Sequence, residues 1–225
     1  MICAQVIQSR SKYSIFVPSK CQCLPNHPGK CDEFPFLKHL RSVNKQVADK
    51  IKRDATMTTG ASWKSEDAGP NRILRWVMLL DENILETNYD IPMSTFSPVI
   101  KAKLREKGAS YDDCLHCARK LTVLAYNMNG SPEMPESLRH YFHSLEYITT
   151  DKTTCMVCKE PLFYDDFMKA KRGKAVLETS HASPRLHNKE NVGFAHRDCN
   201  IAQGSRTLDE FYSWIHGILQ RNSIV

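Results

Sequence analysis

Two pairs of side chains in the last third of this 225-residue chain are suited to bind a metal ion. Two residues separate Cys155 from Cys158, and two residues separate His196 from Cys199. Thiolate and imidazole groups at this spacing present two ligands from a tight turn to one tetrahedral Zn²⁺. The two pairs together fill all four ligand positions and leave none for water. The pattern therefore predicts a closed, structural zinc site.

Three further polar residues lie among these pairs and suggest catalysis. His181 could deprotonate water, because imidazole changes its charge near neutral pH. Asn200 directly follows the last cysteine and offers a neutral oxygen to a hard cation. Asn191 lies between them and could bridge a loop by hydrogen bonds. Each residue alone has an ordinary explanation as a surface, turn or helix-start residue, but their joint spacing with the metal-binding pairs favours an active site.

This arrangement resembles the HNH endonucleases of the ββα-metal class. In that family a histidine has a proline three residues later and is followed by an asparagine in a hairpin. A zinc-ligand pair then runs directly into an Asn or His metal ligand. The resemblance covers about residues 150–205 and does not extend to the N-terminal two-thirds of the chain. The matching positions are His181, Pro184, Asn191, Cys199 and Asn200.

The resemblance implies a metal-dependent endonuclease that hydrolyses phosphodiester bonds in double-stranded DNA. It implies that His181 is the general base, that Asn191 holds the backbone of His181, and that Asn200 helps to bind a catalytic Mg²⁺ or another divalent ion. The large region outside the motif suggests sequence-specific double-strand cleavage, as in type II restriction enzymes. The alternatives are a homing, nicking or junction-selective nuclease and, from another class, a zinc-stabilised DNA-binding module that has lost catalysis.

One position departs from the family pattern. The residue before the histidine is usually an aspartate that binds the metal, whereas here it is Ser180, a poor ligand for a hard cation. Glu178 lies two residues earlier on the same face of the expected strand and could reach the ion directly or through water. The serine is the reason to keep a catalytically degenerate module among the alternatives.

Basic residues surround the expected hairpin and could contact DNA phosphates. Lysines on turns are also commonly just solvated, so their number alone does not separate the two roles. His187, in the same region, is interpreted as an ordinary surface residue. The basic residues are Lys169, Lys171, Arg172 and Lys174 on a turn, with Arg185, Lys189 and Arg206 beside the site.

The N-terminal part contains a second set of zinc-type residues. Either its first four members bind one zinc ion, or some of them share an ion with the later pair. The alternative is a set of buried thiols, which behave as small hydrophobic side chains. Spacing does not decide between these possibilities. The residues are Cys21, Cys23, His27 and Cys31, followed by the pair Cys114 and Cys117.

The composition is that of an ordinary globular protein, with 41% hydrophobic and 25% charged residues. A net charge of +6 is compatible with a polyanionic partner but does not require one. No apolar run approaches the roughly 20 residues that cross a bilayer, so no membrane span is expected. The N-terminal residues are too polar for a signal peptide. We therefore expect a cytoplasmic protein, whose nine cysteines favour metal binding over disulfides.

Apolar residues at spacings of three and four predict helices through much of the first 150 residues. Ser110 and the two acidic residues at 112 and 113 suit the N-terminus of a long helix that ends near Asn127. Loops are expected up to about Pro35 and over residues 56–70. The other expected helices cover residues 37–56, 71–80, 97–107 and 138–147.

After residue 150 the pattern changes to a metal knuckle, short strands over residues 174–180 and 192–195, and a helix that begins at His196. A final amphipathic helix is expected to bury Phe211 and Trp214. The prediction is thus an α+β fold with a boundary near residue 151. Residues 1–150 would form a mainly helical DNA-recognition region, and residues 151–225 a zinc-stapled ββα-metal (HNH) nuclease domain. A homodimer is also expected, because a two-fold symmetric protein matches a palindromic target.

Overall fold

The computed structural model describes residues 6–10, 16–20, 32–58 and 73–224, the first two ranges by their backbone alone. These residues form a mixed α+β fold with eight α-helices and three two-stranded antiparallel sheets. The chain divides into two compact units, Met1–Ala118 and Arg119–Val225. Within the described ranges, no helix combines the length and the apolar character that crossing a membrane would require.

The first unit begins with a β-hairpin and continues with helices. Strand β1 (Val6–Arg10) pairs antiparallel with β2 (Phe16–Lys20). The sequence predicts loops here, so the hairpin differs from that prediction. Pro18 is tolerated within β2 because a two-stranded sheet has only edge strands. The helices are α1 (Lys38–Val43), α2 (Lys45–Thr56), α3 (Glu82–Tyr89) and α4 (Pro98–Arg105), and α5 (Tyr111–Tyr126) also begins in this unit.

Two helices replace the single helix that the sequence predicts over residues 37–56. Asn44 separates α1 from α2 with an extended backbone, and its side-chain oxygen accepts a hydrogen bond from the N–H of Val47 at 3.2 Å. Asparagine is among the best N-terminal caps, so it starts the second helix where the first one ends. The apolar residues buried around this break are Leu37, Leu40, Val47, Ala48 and Ile51.

A second apolar cluster of the first unit surrounds a 3-10 turn, Arg75–Leu79, where the sequence predicts a longer helix over residues 71–80. Residues 71 and 72, and residues 59–70 of the predicted loop, lie outside the described ranges. The sequence does not predict α3, because its polar residues dilute the apolar pattern and only Leu85 and Tyr89 are buried. The cluster comprises Ile73, Val77, Met78, Leu85, Tyr89, Ile91, Met93 and Leu104.

The long helix α5 confirms the prediction for residues 110–127. The hydroxyl oxygen of Ser110 accepts a hydrogen bond from the N–H of Asp113 at 3.0 Å, which satisfies one of the free donors at the start of the helix. Helix α4 likewise confirms the helix predicted over residues 97–107, with Pro98 in its first turn.

The second unit contains helix α6, two of the three sheets and the C-terminal helices α7 and α8. Helix α6 (Glu136–His143) starts directly after Pro135 and is shorter than the predicted helix over residues 138–147. The predicted boundary near residue 151 lies inside this unit, and the division into recognition and nuclease regions stays a prediction about function. The other elements are β3 (Ala170–Lys171), β4 (Lys174–Ala175), β5 (Leu177–His181), β6 (Val192–His196), α7 (Arg197–Gln203) and α8 (Leu208–Arg221).

Strands β5 and β6 form an antiparallel hairpin that leads directly into α7. The register pairs Leu177 with His196 at one end and His181 with Val192 at the other. The first four residues of β6 are buried, and so are Leu177 and Ser180 of β5. Because α7 begins at the residue after β6, the hairpin and the helix position their side chains as one continuous segment.

The C-terminal helix α8 begins at a capping box and buries one aromatic side chain. Thr207 and Glu210 form a reciprocal capping box, in which each side chain accepts a hydrogen bond from the other residue's backbone N–H. Phe211 is buried, as predicted, but Trp214 is 43% exposed, so its predicted core position is wrong. The guanidinium of Arg206 instead lies 4.4 Å from the centre of the Trp214 ring, a cation–π contact that shields one face of the indole.

Candidate active site and metal centre

Four donor side chains converge at the base of the β5–β6 hairpin. Cys155 and Cys158 lie in a tight turn, His196 ends β6, and Cys199 lies in the first turn of α7. Their donor atoms all lie within 4.8 Å of one another, and Sγ of Cys158 is 3.4 Å from Nδ1 of His196. The structure thus brings together all four predicted ligands, and this cluster could hold a metal ion.

The donor set fits a tetrahedral zinc ion. Sulfur and nitrogen ligands about 2.0–2.3 Å from zinc lie roughly 3.5 Å from each other, close to the separation between Cys158 and His196. Burial raises the pKa of the Cys155 thiol, but backbone N–H groups aimed at its sulfur outweigh this and hold the pKa below its ordinary value. Burial and the neighbouring Cys155 thiolate raise the pKa of Cys199 to about 12. Thiols this close cannot all ionise without a cation to neutralise them, so the cluster suits a divalent ion.

The turn that carries Cys155 and Cys158, here called the knuckle, is held to the surrounding elements by two hydrogen bonds. The backbone N–H of Met156 donates to the carbonyl of Phe194 in β6 at 2.9 Å. The hydroxyl of Tyr212 in α8 donates to the carbonyl of Val157 at 2.6 Å. The metal cluster therefore joins the knuckle to β6 and α7, while Tyr212 ties it to α8.

Gly193 is required where the knuckle packs on β6. A Cβ atom at this position would lie 2.5 Å from Sδ and 2.7 Å from Cγ of Met156. We expect Gly193→Ala to lower the free energy of unfolding by roughly 1–3 kcal/mol, because the methionine must move from a packed site. The matched control is Gly217→Ala in α8, where the new Cβ meets only the tip of the Arg221 side chain. Urea unfolding should show the control as stable as the wild type or slightly more so; equal stability of Gly193→Ala would contradict this packing.

His181 ends β5 and faces a second histidine. Its Nε2 lies 2.9 Å from Nδ1 of His187, and the two ring centres are 5.1 Å apart. His187 is only 7% exposed, so its interpretation as a surface residue is wrong. The loop between the strands folds back over the strand end and buries the second ring against the first.

Asn191 closes the loop of the hairpin with its side chain. Its Oδ1 accepts from the N–H of Ser183 at 2.6 Å, and its Nδ2 donates to the carbonyls of Ser183 at 2.7 Å and Leu186 at 2.5 Å. Its own carbonyl accepts from the N–H of Ala182, the residue after His181. Every polar atom of the amide is thus used to hold the chain that follows His181.

Gln203, at the end of α7, is a buried residue of the site that the sequence motif does not include. Its Nε2 donates to the carbonyl of His181 at 2.9 Å, and its Oε1 lies 3.4 Å from the hydroxyl of Ser180. Ser180 is 1% exposed and contacts this amide. The available signal was spacing, since Gln203 lies three residues after Asn200 and therefore on the same face of the helix.

Asn200 contacts the carboxylate of Glu178. The Asn200 Nδ2 donates to Oε2 of Glu178 at 2.9 Å, and Nε of Arg197 lies 3.2 Å from Oε1 of the same carboxylate. The arginine contact is an ion pair without hydrogen-bond geometry. With Nδ2 directed at the carboxylate, Oδ1 is the Asn200 atom able to bind a cation. A carboxylate oxygen and an amide oxygen at one place are suitable ligands for a hard divalent ion.

Several predicted DNA-contacting residues take part in exposed pairs. Lys171 on the β3–β4 turn lies 2.6 Å from Asp198 and lowers the pKa of that carboxyl. Lys169 pairs with Asp166 at 2.7 Å. An exposed pair such as Lys171–Asp198 contributes little to stability. The side chains of Arg172, Lys174 and Arg185 are exposed.

Of the second cysteine set, the structure describes only one pair. Cys114 and Cys117 are both fully buried in α5. Burial raises the pKa of Cys114 far above its ordinary value, so this thiol is uncharged at neutral pH. Cys21, Cys23, His27 and Cys31 lie outside the described ranges, and a second zinc ion stays a prediction.

Comparisons with known proteins identify the family. The DraIII family model matches residues 33–199, well over half of the chain. A solved structure described as the crystal structure of a type II restriction endonuclease is 41% identical in sequence and superposes with a TM-score of 0.82, covering 100% of this chain and 99% of that chain. A search of curated proteins finds no match. The chain therefore belongs to the DraIII family of restriction endonucleases.

Proposed function

We propose that this DNA endonuclease is a Mg²⁺-dependent enzyme of the HNH, or ββα-metal, class that cuts both strands at a specific sequence. One observation carries the proposal: the segment β5–β6–α7 holds His181 at a strand end, Asn191 in the hairpin loop and Asn200 in the helix, next to a Cys3His cluster. A type II restriction endonuclease that is 41% identical over the whole chain supports sequence-specific cutting.

In this mechanism His181 is the general base. Its imidazole takes a proton from a water molecule, and the resulting hydroxide forms a bond to the scissile phosphorus. The bond from phosphorus to the leaving sugar oxygen breaks, and that oxygen takes up a proton from the solvent. Asn191 and Gln203 act on the backbone around His181, and they hold the strand end at a fixed position. Fixing the base in this way matters because a displacement of about 1 Å from the reactive position can slow a reaction by about 10²-fold.

The proposed Mg²⁺ ligands are Oδ1 of Asn200 and a carboxylate oxygen of Glu178. When bound, the ion would neutralise negative charge that develops on the phosphate and on the leaving oxygen. Ser180 would not bind it, because the serine is buried against Gln203. Glu178 therefore replaces the acid that usually precedes the histidine in this class. Arg197 lies beside the carboxylate and limits its negative charge, which predicts modest affinity for the ion.

Glu178→Gln tests this substitution of ligands. The variant keeps an oxygen that can accept from Asn200 but removes the charge, so we expect the Mg²⁺ concentration for half-maximal cleavage to rise about tenfold. Saturating Mg²⁺ should restore most of the rate. The control is Glu160→Gln, an exposed residue of the knuckle, which should titrate like the wild type. An unchanged Mg²⁺ titration for Glu178→Gln would remove the residue from the ion site.

The proposed structural ion is Zn²⁺, held by Cys155, Cys158, His196 and Cys199. A closed set of four protein ligands leaves no open position for water, so the zinc would support the fold and take no part in cleavage. It would hold α7, and with it Asn200, against the hairpin.

DNA recognition is proposed for the helical region before residue 151 together with the basic β3–β4 turn. Lys171 and Arg172 on that turn would contact phosphates, which position the protein on DNA but do not select sequence. A homodimer is proposed for palindromic sites, since two copies of the active site would cut two strands. We also propose a cytoplasmic location, because the substrate of the family is DNA.

Ser180 also favours a second function, a zinc-stabilised DNA-binding module without cleavage. Run-off sequencing of DNA incubated with the protein and Mg²⁺ separates the possibilities. Sequence-specific cleavage should give the same two ends at every copy of one short sequence. Random ends would indicate a non-specific nuclease, and cuts in one strand would indicate a nicking enzyme. Intact DNA would indicate the binding module.

A further inference from the structure

We propose that His187 is a positioning residue for His181, and that it accepts a hydrogen bond which fixes the proton of His181 on Nε2. The inference rests on the proposed role of His181 as the base. The geometry points to it, because Nε2 of His181 and Nδ1 of His187 are 2.9 Å apart, a normal distance for an N–H···N hydrogen bond. Only one of the two nitrogens can hold the proton.

The loop holds His187 on both sides. Asn191 donates to the carbonyl of Leu186, the residue before it. Asn188, the residue after it, accepts through Oδ1 from the N–H of Asn191 at 3.0 Å. The carbonyl of Asn188 also accepts from the N–H of Val192 in β6 at 3.2 Å. Because both neighbours are tied to the start of β6, the buried ring is held against His181 and not left to rotate with a mobile loop.

The direction of the hydrogen bond decides whether His181 can act. If Nε2 of His181 donates, the lone pair of the neutral ring lies on Nδ1, and this nitrogen can accept a proton from water. The ring then becomes an imidazolium, whose Nε2–H still donates to the lone pair on His187. If His187 donated instead, Nδ1 of His181 would already carry a proton. That tautomer could not take one from water at Nδ1.

Burial supports the acceptor role of His187. A ring with 7% exposure loses most of its hydration, which disfavours a charge on it. A second positive charge beside the His181 imidazolium would be more unfavourable still. His187 should therefore stay neutral, with its own proton on Nε2 and its lone pair on Nδ1, while His181 takes the proton.

Nuclear magnetic resonance on ¹⁵N-histidine-labelled protein tests the direction without any measurement of activity. We expect a ¹⁵N–¹⁵N coupling across the hydrogen bond between the two rings, with the proton directly bonded to Nε2 of His181. His181→Ala and His187→Leu assign the two rings, and each should abolish the coupling. A proton on Nδ1 of His187, or no coupling in folded wild-type protein, would overturn the inference.

Cleavage rates test the consequence. His187→Leu replaces the imidazole by an apolar side chain of similar size that cannot accept a hydrogen bond. We expect this variant to slow single-turnover cleavage roughly tenfold to a hundredfold without weakening DNA binding. His187→Asn places an amide oxygen near the former Nδ1 and should restore most of the rate. Wild-type speed in His187→Leu, or an equal loss in His187→Asn, would overturn the positioning role.

The two experiments separate this inference from the proposed function. Wild-type protein that never cleaves DNA would contradict the function, whereas the coupling would still report on the histidine pair. Equal zinc content and equal melting temperature of the His187 variants would show that their rates reflect the site. If His187→Leu does not fold, the coupling in the wild type decides the direction alone.

Discussion

His181→Ala is expected to slow DNA cleavage by about 10²–10⁴-fold at saturating Mg²⁺. The variant removes the only atoms that the mechanism uses to deprotonate water, and no step of DNA binding depends on them. The loss should therefore appear in the single-turnover rate and leave the affinity for DNA close to that of the wild type. The residual rate would come from the metal ion and from the positioning of the phosphate.

A matched histidine makes this result specific. His216 is exposed in α8 of the same unit, and His216→Ala should cleave at the wild-type rate. Gel-shift measurements in Ca²⁺, which supports binding in place of Mg²⁺, should give similar DNA affinities for both variants. A His181→Ala protein that is folded, binds zinc and cleaves at full speed would show that the base lies elsewhere.

Cys158→Ser is expected to remove one zinc ion per chain and to unfold the region around the hairpin. Structural zinc contributes about 10–16 kcal/mol in small zinc-binding peptides, as much as the entire stability of a typical domain. The site joins a turn, a strand and a helix start, so its loss should loosen the attachment of α7 to the hairpin. A chelator should produce the same loss of melting temperature in the wild-type protein.

The neighbouring residue provides the control for the zinc experiment. Lys159→Ser changes an exposed side chain beside the ligand and removes no donor to the metal. Metal analysis should find the wild-type zinc content in Lys159→Ser and one equivalent less in Cys158→Ser. The test uses the difference in zinc content between the two variants. Any zinc ion bound by the N-terminal cysteines is present in both variants and does not affect this difference. Full zinc retention by Cys158→Ser would contradict the ligand set.

The sequence is most informative where function needs a fixed local spacing. Cysteine and histidine pairs with two intervening residues suit a shared metal ion, so the spacing of Cys155, Cys158, His196 and Cys199 predicted that they meet in the fold. Strand β6 was also predictable, because residues 192–195 form a short continuous apolar run of the kind found in buried strands. The Ser110 cap of α5 is another local signal that the structure confirms.

Features that depend on how loops fold back were not predictable. His187 lies in a polar loop, and the hydrogen bonds of Asn191 and Asn188 hold that loop against His181. The spacing of Gln203 places it on the same helix face as Asn200, but the contact of its amide with the backbone of β5 has no sequence signal. Trp214 fits the apolar stripe of α8 by spacing, but it stays 43% exposed, with Arg206 and Phe211 beside its ring. These outcomes depend on tertiary contacts that have no fixed separation along the chain.

The most direct test of the central claim is digestion of plasmid DNA by purified, zinc-loaded wild-type protein. With Mg²⁺, supercoiled plasmid should become discrete linear fragments, and a chelator that removes Mg²⁺ but spares the protein-bound zinc should prevent this. Supercoiled plasmid that stays intact with Mg²⁺, Mn²⁺ and Co²⁺, while the protein is folded and binds the same DNA, would contradict the account.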